Sequence, residues 1–354
     1  MVALLKYGCG LPFTRIEKLQ RHLGIPLPAP TQWGLVEHAA TLVAPAHREL
    51  VHQAAQGEVL HNDDTTAKIL ELGTSRQAVF EQQSEPGDPE RTGVYTSGIV
   101  SSPDGHQIAL FFTGPQHAGE NLAAVLAQRA AELPPPIQMC DALSHNTAGE
   151  FDTIVANCIA HARRQFVDVA PRFPEPCRYV LETLREAYRN DALTRAEPLS
   201  PAERLAYHQE HSGPPMRGLQ WWLYEQIEQR RIEPNSTLGG AVKYMYMRKH
   251  WNKLTLFLQV PGAPLDNNVC ERILKKAILH RKNALFFKTQ NGANVSDLFM
   301  SLIHTAELAK VDPFDYLTQL QRHATQLRAA PQRWMPWNYR DTLAALGSGP
   351  DPPS

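Results

Sequence analysis

The chain has 354 residues, 43% of them hydrophobic and 20% charged, with a formal net charge of −1. This fits a soluble globular protein of two or three subdomains and excludes a general, chain-wide attraction to polyanions. No apolar run reaches the ~18 residues of a membrane span, so no membrane association is expected. The five cysteines form no C-x-x-C pair and are odd in number. That argues against a zinc ribbon or a disulfide framework and for reduced thiols in the cytoplasm.

Residues 11–55 read as helical: Phe13, Ile16, Leu19 and Leu23 recur at steps of three and four, and Trp33, Val36, Ala40, Val43 and Leu50 resume the apolar pattern. Pro26, Pro28 and Pro30 make the connection longer than that of a helix-turn-helix, and the second helix carries few bases. A helical hairpin packed on the core is therefore preferred to a DNA-reading unit. At Gly57 the period changes. Residues 58–70 read as a buried strand carrying acids, 74–91 as a loop, and 92–101 and 107–113 as strands joined by the Asp104-Gly105 turn. A helix follows at 119–133, then short strands at 137–142 and 153–159 and a helix at 161–169. Residues 177–258 are helical in pattern, with Trp221 and Trp222 as expected core anchors.

The stretch 264–287 comes next. Asp266 and the two asparagines after it suit a helix start, and Val269, Ile273, Leu274, Ala277 and Ile278 mark one apolar face. A strand at 284–287, a turn at Asn291-Gly292, an amphipathic helix at 295–309, a last helix at 313–327 and a Gly/Pro/Ser tail complete the reading. The expected organisation is a helical segment (1–56), a core in two parts (57–170 and 259–312), a helical insertion between them (171–258) and a C-terminal helix and tail (313–354).

Charge is concentrated in one place. From 241 to 290 there are ten Lys/Arg against two acids, a balance of +8. Glu271 stands in that stretch beside Arg272, Lys275, Lys276, Arg281 and Lys282. One carboxylate amid such bases suggests a metal-dependent site that handles a polyanion, although a solvated helix with a salt-bridged Glu fits the same residues. Asp63 in the first strand, Asp141 at a strand's end and Glu271 form the candidate trio. Two-metal phosphoryl transfer wants these residue types: hard Mg²⁺ (or Mn²⁺) prefers carboxylate oxygens, and two ions ~3.5–4 Å apart span the scissile phosphate. Strand alternation alone does not choose between Asp63 and Asp64, whose side chains leave on opposite faces. Lys275, Lys276, Arg281 and Lys282 are candidate DNA phosphate contacts, or a solvated face. Asn267 and Asn268 either cap the helix or orient Glu271. His61 and His145 read as structural, and Cys140 and Cys270 as small core residues.

The motifs LHNDDT (60–65), CDALSHN (140–146), CIAHARRQF (158–166) and above all DNNVCERILKKAILHRKNALFF (266–287) resemble the insertion sequence 66 family of DDE transposases. The resemblance covers nearly the whole chain. It implies an α/β fold with a ribonuclease-H-like mixed sheet flanked by helices and a helical insertion before the helix of the catalytic Glu. It also implies metal-dependent DNA strand cleavage and strand transfer of a mobile element. Asp63, Asp141 and Glu271 would then be the catalytic residues and the ligands of two Mg²⁺ (or Mn²⁺) ions. The implied partners are double-stranded DNA (element ends and target), other copies of the chain in a homo-oligomer on DNA, and small accessory proteins of the same element. Asp64 stands where the family usually has Glu, and Ala142-Leu143, Ile159, His280 and Ala284 also depart from its pattern. Family members usually carry an upstream coiled-coil-like helix and a Cys-rich zinc-binding segment, so a shortened member or a fragment is expected. The alternative readings are a non-catalytic DNA-binding remnant and a ribonuclease-H-like nuclease.

Overall fold

The computed structural model describes residues 1–72, 93–197, 199–246 and 248–347. The expected loop at 74–91 and the tail after 347 lie outside the described residues. The fold is α/β, and its strands are of mixed sense. The chain divides into two compact units, Met1–Pro134 with Ala148–Phe151 and Cys270–Ser354, and Pro135–Thr147 with Asp152–Val269.

The first unit opens with helices α1 (Phe13–His22) and α2 (Ala29–Ala55), paired as a hairpin. Phe13 meets Trp33 edge-on at 6.4 Å, and Ile16, Val36, Val43 and Leu50 are buried. Strands β1 (Val59–Thr66), β2 (Tyr95–Ser101) and β3 (Ile108–Gly114) form an antiparallel meander in which Asp63 stands opposite Gly98, and Gly98 opposite Phe111. The first strand is shorter than the sequence suggests. Beyond it Ile69 makes a single parallel bridge to Phe287. Helix α3 (Ala118–Leu126) stops before the expected 133, and Arg129 after it donates to the carbonyls of Ala55, Gly57 and Pro134.

Two long helices complete this unit. Helix α10 (Asn268–Ala284) starts in the second unit and belongs to the first from Cys270 onward. It takes in only Ala284 of the segment expected as a strand (284–287) and ends where Leu285 takes a positive φ of 68°, leaving Phe287 with its single parallel bridge. Helix α11 (Gln290–Leu308) begins with Asn291-Gly292 in its first turn, not in a separate turn, because Thr289 Oγ1 caps the Gly292 N–H at 3.0 Å. Its polar stripe covers the outer edge of β3. Thr113 N donates to Asp297 Oδ2 (2.6 Å), Phe111 N to Ser301 Oγ (3.0 Å) and Ala109 N to Thr305 Oγ1 (3.1 Å). The spacings match: four helical residues rise ~6 Å and two strand residues ~6.8 Å. Edge N–H groups that would otherwise be buried without partners are thereby satisfied.

The C-terminal segment holds α12 (Pro313–Arg322) and α13 (Ala324–Ala329), interrupted at His323, which stacks on Trp334 at 5.2 Å. A further helix, α14 (Tyr339–Gly347), occupies residues expected to belong to the tail.

In the second unit β4 (Ile137–Cys140) and β5 (Ile154–Asn157) pair in parallel. Among the described residues six α-helices follow: α4 (Ile159–Val169), α5 (Pro174–Ala196), α6 (Pro201–His211), α7 (Gly213–Glu228), α8 (Thr237–Tyr246) and α9 (Arg248–Leu254). Phe166, Val180, Leu184, Leu219, Leu223 and Met245 are among the residues of their common core. The expected anchor Trp221 is instead 63% exposed, and Trp222 is only partly buried. The helical phase turns Leu219 and Leu223 inward, which leaves Trp221 outside. Among the described residues no helix is long and apolar enough to cross a membrane.

Candidate active site

The pairing of β1 with β2 decides which way each acid of the first strand faces. Directly opposed residues of an antiparallel pair share a face. Gly98, opposite Asp63, lies under α10: a Cβ there would stand 3.0 Å from Leu274 Cγ and 3.5 Å from Cys270 Sγ. Asp63 is therefore on the α10 face. Ser97, opposite Asp64, accepts a hydrogen bond from Asn121 Nδ2 of α3 at 2.8 Å. Asp64 Oδ2 itself lies 2.9 Å from His117 Nδ1, at the start of α3, and accepts from the Ala118 N–H. The Asp64 carboxylate thus closes a helix N-terminus, where negative charge is favoured.

Cys270 joins the helix to the sheet. Its thiol donates to the Gly98 carbonyl at 3.2 Å. Burial pushes the thiol well above its ordinary range, and the nearby Asp63 and Glu271 charges add to this, against a hydrogen bond from the Asp63 backbone. A neutral, inert thiol follows, not a nucleophile. The residue after it, Glu271, is half-buried in the first turn of α10, and Asp63 is half-buried on β1. The glycine matters here because it lets a helix lie close over the strand, and the cysteine because it pins that helix in register.

The four candidate phosphate contacts separate by position. Lys275 and Lys282 follow Glu271 at i+4 and i+11 on the same helical stripe, and both are exposed. Lys276 Nζ instead reaches Glu307 Oε2 on α11 at 3.4 Å. Arg281 donates to the end of β1, at Thr65 Oγ1 (3.2 Å), Thr66 Oγ1 (2.7 Å) and the Thr66 carbonyl.

In the second unit, Asp141 directly follows β4. Its Oδ1 accepts from Leu143 N at 3.0 Å and Asn146 Nδ2 at 2.6 Å. Gln138 donates to the Asn146 carbonyl and accepts from Thr153, so the turn holding Asp141 is tied to β4. Tyr244 is pushed up to about 12, chiefly by burial and then by the Asp141 charge. Asp266 starts α10 as its sequence suggests, accepting from Asn268 N at 3.1 Å and Asn268 Nδ2 at 2.5 Å. Of the two histidines near acids, His61 is buried and His145 exposed. His280, in the departure from the family motif, stacks between Tyr7 and Phe287, and burial, with the Lys6 charge, lowers it to about 3.

Sequence reasoning left out three residues that shape this region: Gly98, His117 and Asp297. A glycine inside an otherwise β-branched strand was the available signal for the first. The other two act only through contacts remote in sequence.

No solved structure matches the chain. Similar curated proteins come from Sinorhizobium fredii (strain NBRC 101917 / NGR234) and carry the names of uncharacterized proteins. The protein y4jD is 31% identical over 191 residues, 52% of this chain and 36% of its own length. The protein y4hP is 26% identical over 359 residues, 96% of this chain and 61% of its own length. The protein y4qI is 23% identical over 352 residues with the same coverage, 96% and 61%. The chain therefore spans about three fifths of the length of y4hP and y4qI. Residues 1–295 match the family described as Transposase IS66 family. With that match across most of its length, the chain belongs to the IS66 transposase family.

Proposed function

We propose that this chain carries the catalytic core of a DDE-type transposase, cleaving DNA strands at the ends of a mobile element and joining them to a target. The observation that carries the reading is the Cys270–Gly98 clamp, which sets the Glu271 turn of α10 over the strand face that bears Asp63. On this reading the fold is ribonuclease-H-like, with the antiparallel β1–β3 meander presenting the first acid. Asp63 and Glu271 would hold divalent cation, with Asp141 as the remaining acid of the trio. The donor chemistry fits Mg²⁺ or Mn²⁺, since half-buried carboxylates are hard ligands and the neighbouring thiol is held protonated. Bound there, a pair of such ions would activate water or a 3′-OH and stabilise the leaving oxygen.

The chain's own residues do the positioning. Lys275 and Lys282, on the Glu271 stripe, take backbone phosphates of double-stranded DNA. Arg281 fixes the end of β1 and with it the strand that carries Asp63. Assembly as a homo-oligomer on DNA, with small accessory proteins of the same element, belongs to the same proposal.

The test is Glu271→Gln, which keeps size and removes charge. Cleavage of element-end DNA in Mg²⁺ should fall by roughly two or more powers of ten, with DNA binding retained. Parent-like cleavage by this variant would defeat the reading. Joining of a 3′-OH end to duplex DNA separates a transposase from a ribonuclease-H-like nuclease.

A further inference from the structure

The motif CIAHARRQF contributes two arginines, Arg163 and Arg164, to the second unit. In the second unit, Ile159, Ala162 and Phe166 are buried in the helical core, which turns Arg163 and Arg164 of α4 outward. On α5 the buried Cys177, Val180 and Leu184 do the same for Arg178 and Arg185. These four arginines line one open groove of about 760 Å³ between the two helices, with Glu182 the one acid among its described lining residues and Tyr188 and Asn268 in its wall. The groove thus carries four cations against one anion, in a chain whose overall charge is −1. Arg178 also approaches Glu175 at 3.3 Å, but both side chains are more than half exposed, so the pair is weak.

Such a groove suits a particular ligand. Guanidinium forks match phosphate oxygens in a bidentate way that ammonium groups do not. Arginines contributed by two packed helices suit a repeating anion better than a single small one. We infer that the α4–α5 arginine groove is a second binding surface for the phosphate backbone of double-stranded DNA, separate from the lysines of α10. The inference rests on the transposase reading and adds to it a role for the helical segment. Asn268, in the wall of the groove, is the first residue of α10.

The experiment compares the parent with Arg163→Gln/Arg185→Gln, and with Arg217→Gln as an exposed control in the same unit. Binding to duplexes of several sequences is measured by fluorescence anisotropy across a salt series, with circular dichroism and melting to check folding. The double variant should bind all sequences about tenfold more weakly, with the slope of log K against log salt reduced by about two. The control should match the parent. Arg163→Lys/Arg185→Lys should recover the slope but only part of the affinity. A double variant that folds and binds with the parent's affinity and slope overturns the groove while leaving the transposase reading in place. A parent that binds no DNA overturns both. Competition by polyglutamate as effective as by DNA of equal charge would mean an acidic protein surface is the partner, and would also overturn the inference.

Discussion

Thr113 donates both its backbone N–H and its hydroxyl to the carboxylate of Asp297, at 2.6 and 2.7 Å, deep in the first unit. Asp297 is buried, and this pushes it up to about 7 despite the two hydrogen bonds. Between the ordinary 3.8 and that value, the folded chain keeps a proton that the unfolded chain has lost. Stability from this group is present below pH ~4 and is lost as pH rises toward ~7, by on the order of 4 kcal/mol in all. Buried His47 and His280, lowered to about 4 and about 3 chiefly by burial, act in the opposite sense. The readout is therefore the difference between parent and Asp297→Asn in melting temperature from pH 5 to pH 8. The parent should lose more stability over that range. Equal slopes would mean that Asp297 ionises normally.

Gly98 is a test of the clamp. A Cβ would stand 3.0 Å and 3.1 Å from the Leu274 side chain, tighter than ordinary contact. Gly98→Val should cost about 1–3 kcal/mol by overpacking and lift the first turn of α10 away from β1. Cleavage should fall at least tenfold while the chain still folds and still binds DNA. Cys270→Ser, which keeps a donor for the Gly98 carbonyl, should retain most activity. Full activity in Gly98→Val would show that close approach of helix and strand is not required.

The two neighbouring acids should behave differently. Asp63→Asn should abolish cleavage by two or more powers of ten with little change in melting temperature. Asp64→Asn removes the negative charge beside His117 and the α3 N-terminus, so a loss of about 1 kcal/mol in stability is expected, with smaller effect on cleavage. The reverse pattern would place the reactive face of β1 on the α3 side.

Asp191 anchors the helical unit. It is 4% exposed, 2.7 Å from Arg195, 2.9 Å from Arg204 and 3.6 Å from His208. Burial alone would raise it, but His208 close by and the two arginine charges together hold it below its ordinary value. The stability it supplies is present above the ordinary carboxylate range and is lost as pH falls through the lowered value. Asp191→Ala should cost about 3–5 kcal/mol near neutral pH, because the arginines lose a buried partner. Its melting temperature should also depend less on acid than the parent's. An unchanged melting temperature at pH 7 would mean that the cluster is worth nothing.

The sequence by itself determined what depends on local period and short-range chemistry. The α1–α2 hairpin, the Asp104-Gly105 turn between β2 and β3, and the Asp266 start of the α10 helix all follow from side chains within a few residues of one another. The family motifs likewise named Asp63, Asp141 and Glu271 as candidates without coordinates. What it left open depends on partners far apart in the chain. Alternation could not say whether Asp63 or Asp64 faces the Glu271 helix; the pairing of Asp63 with Gly98 under Leu274 and Cys270 does. Composition marked Lys276 and Arg281 as equal to Lys275 and Lys282, yet Glu307 and the end of β1 engage the first two. Trp221 looked like core by type and lies outside by helical phase. The polar stripe of α11 read as the wet side of an amphipathic helix, and it is buried because β3 has edge N–H groups that need acceptors. Periodicity reports which side of an element is apolar; only the packed neighbour decides whether the other side meets water.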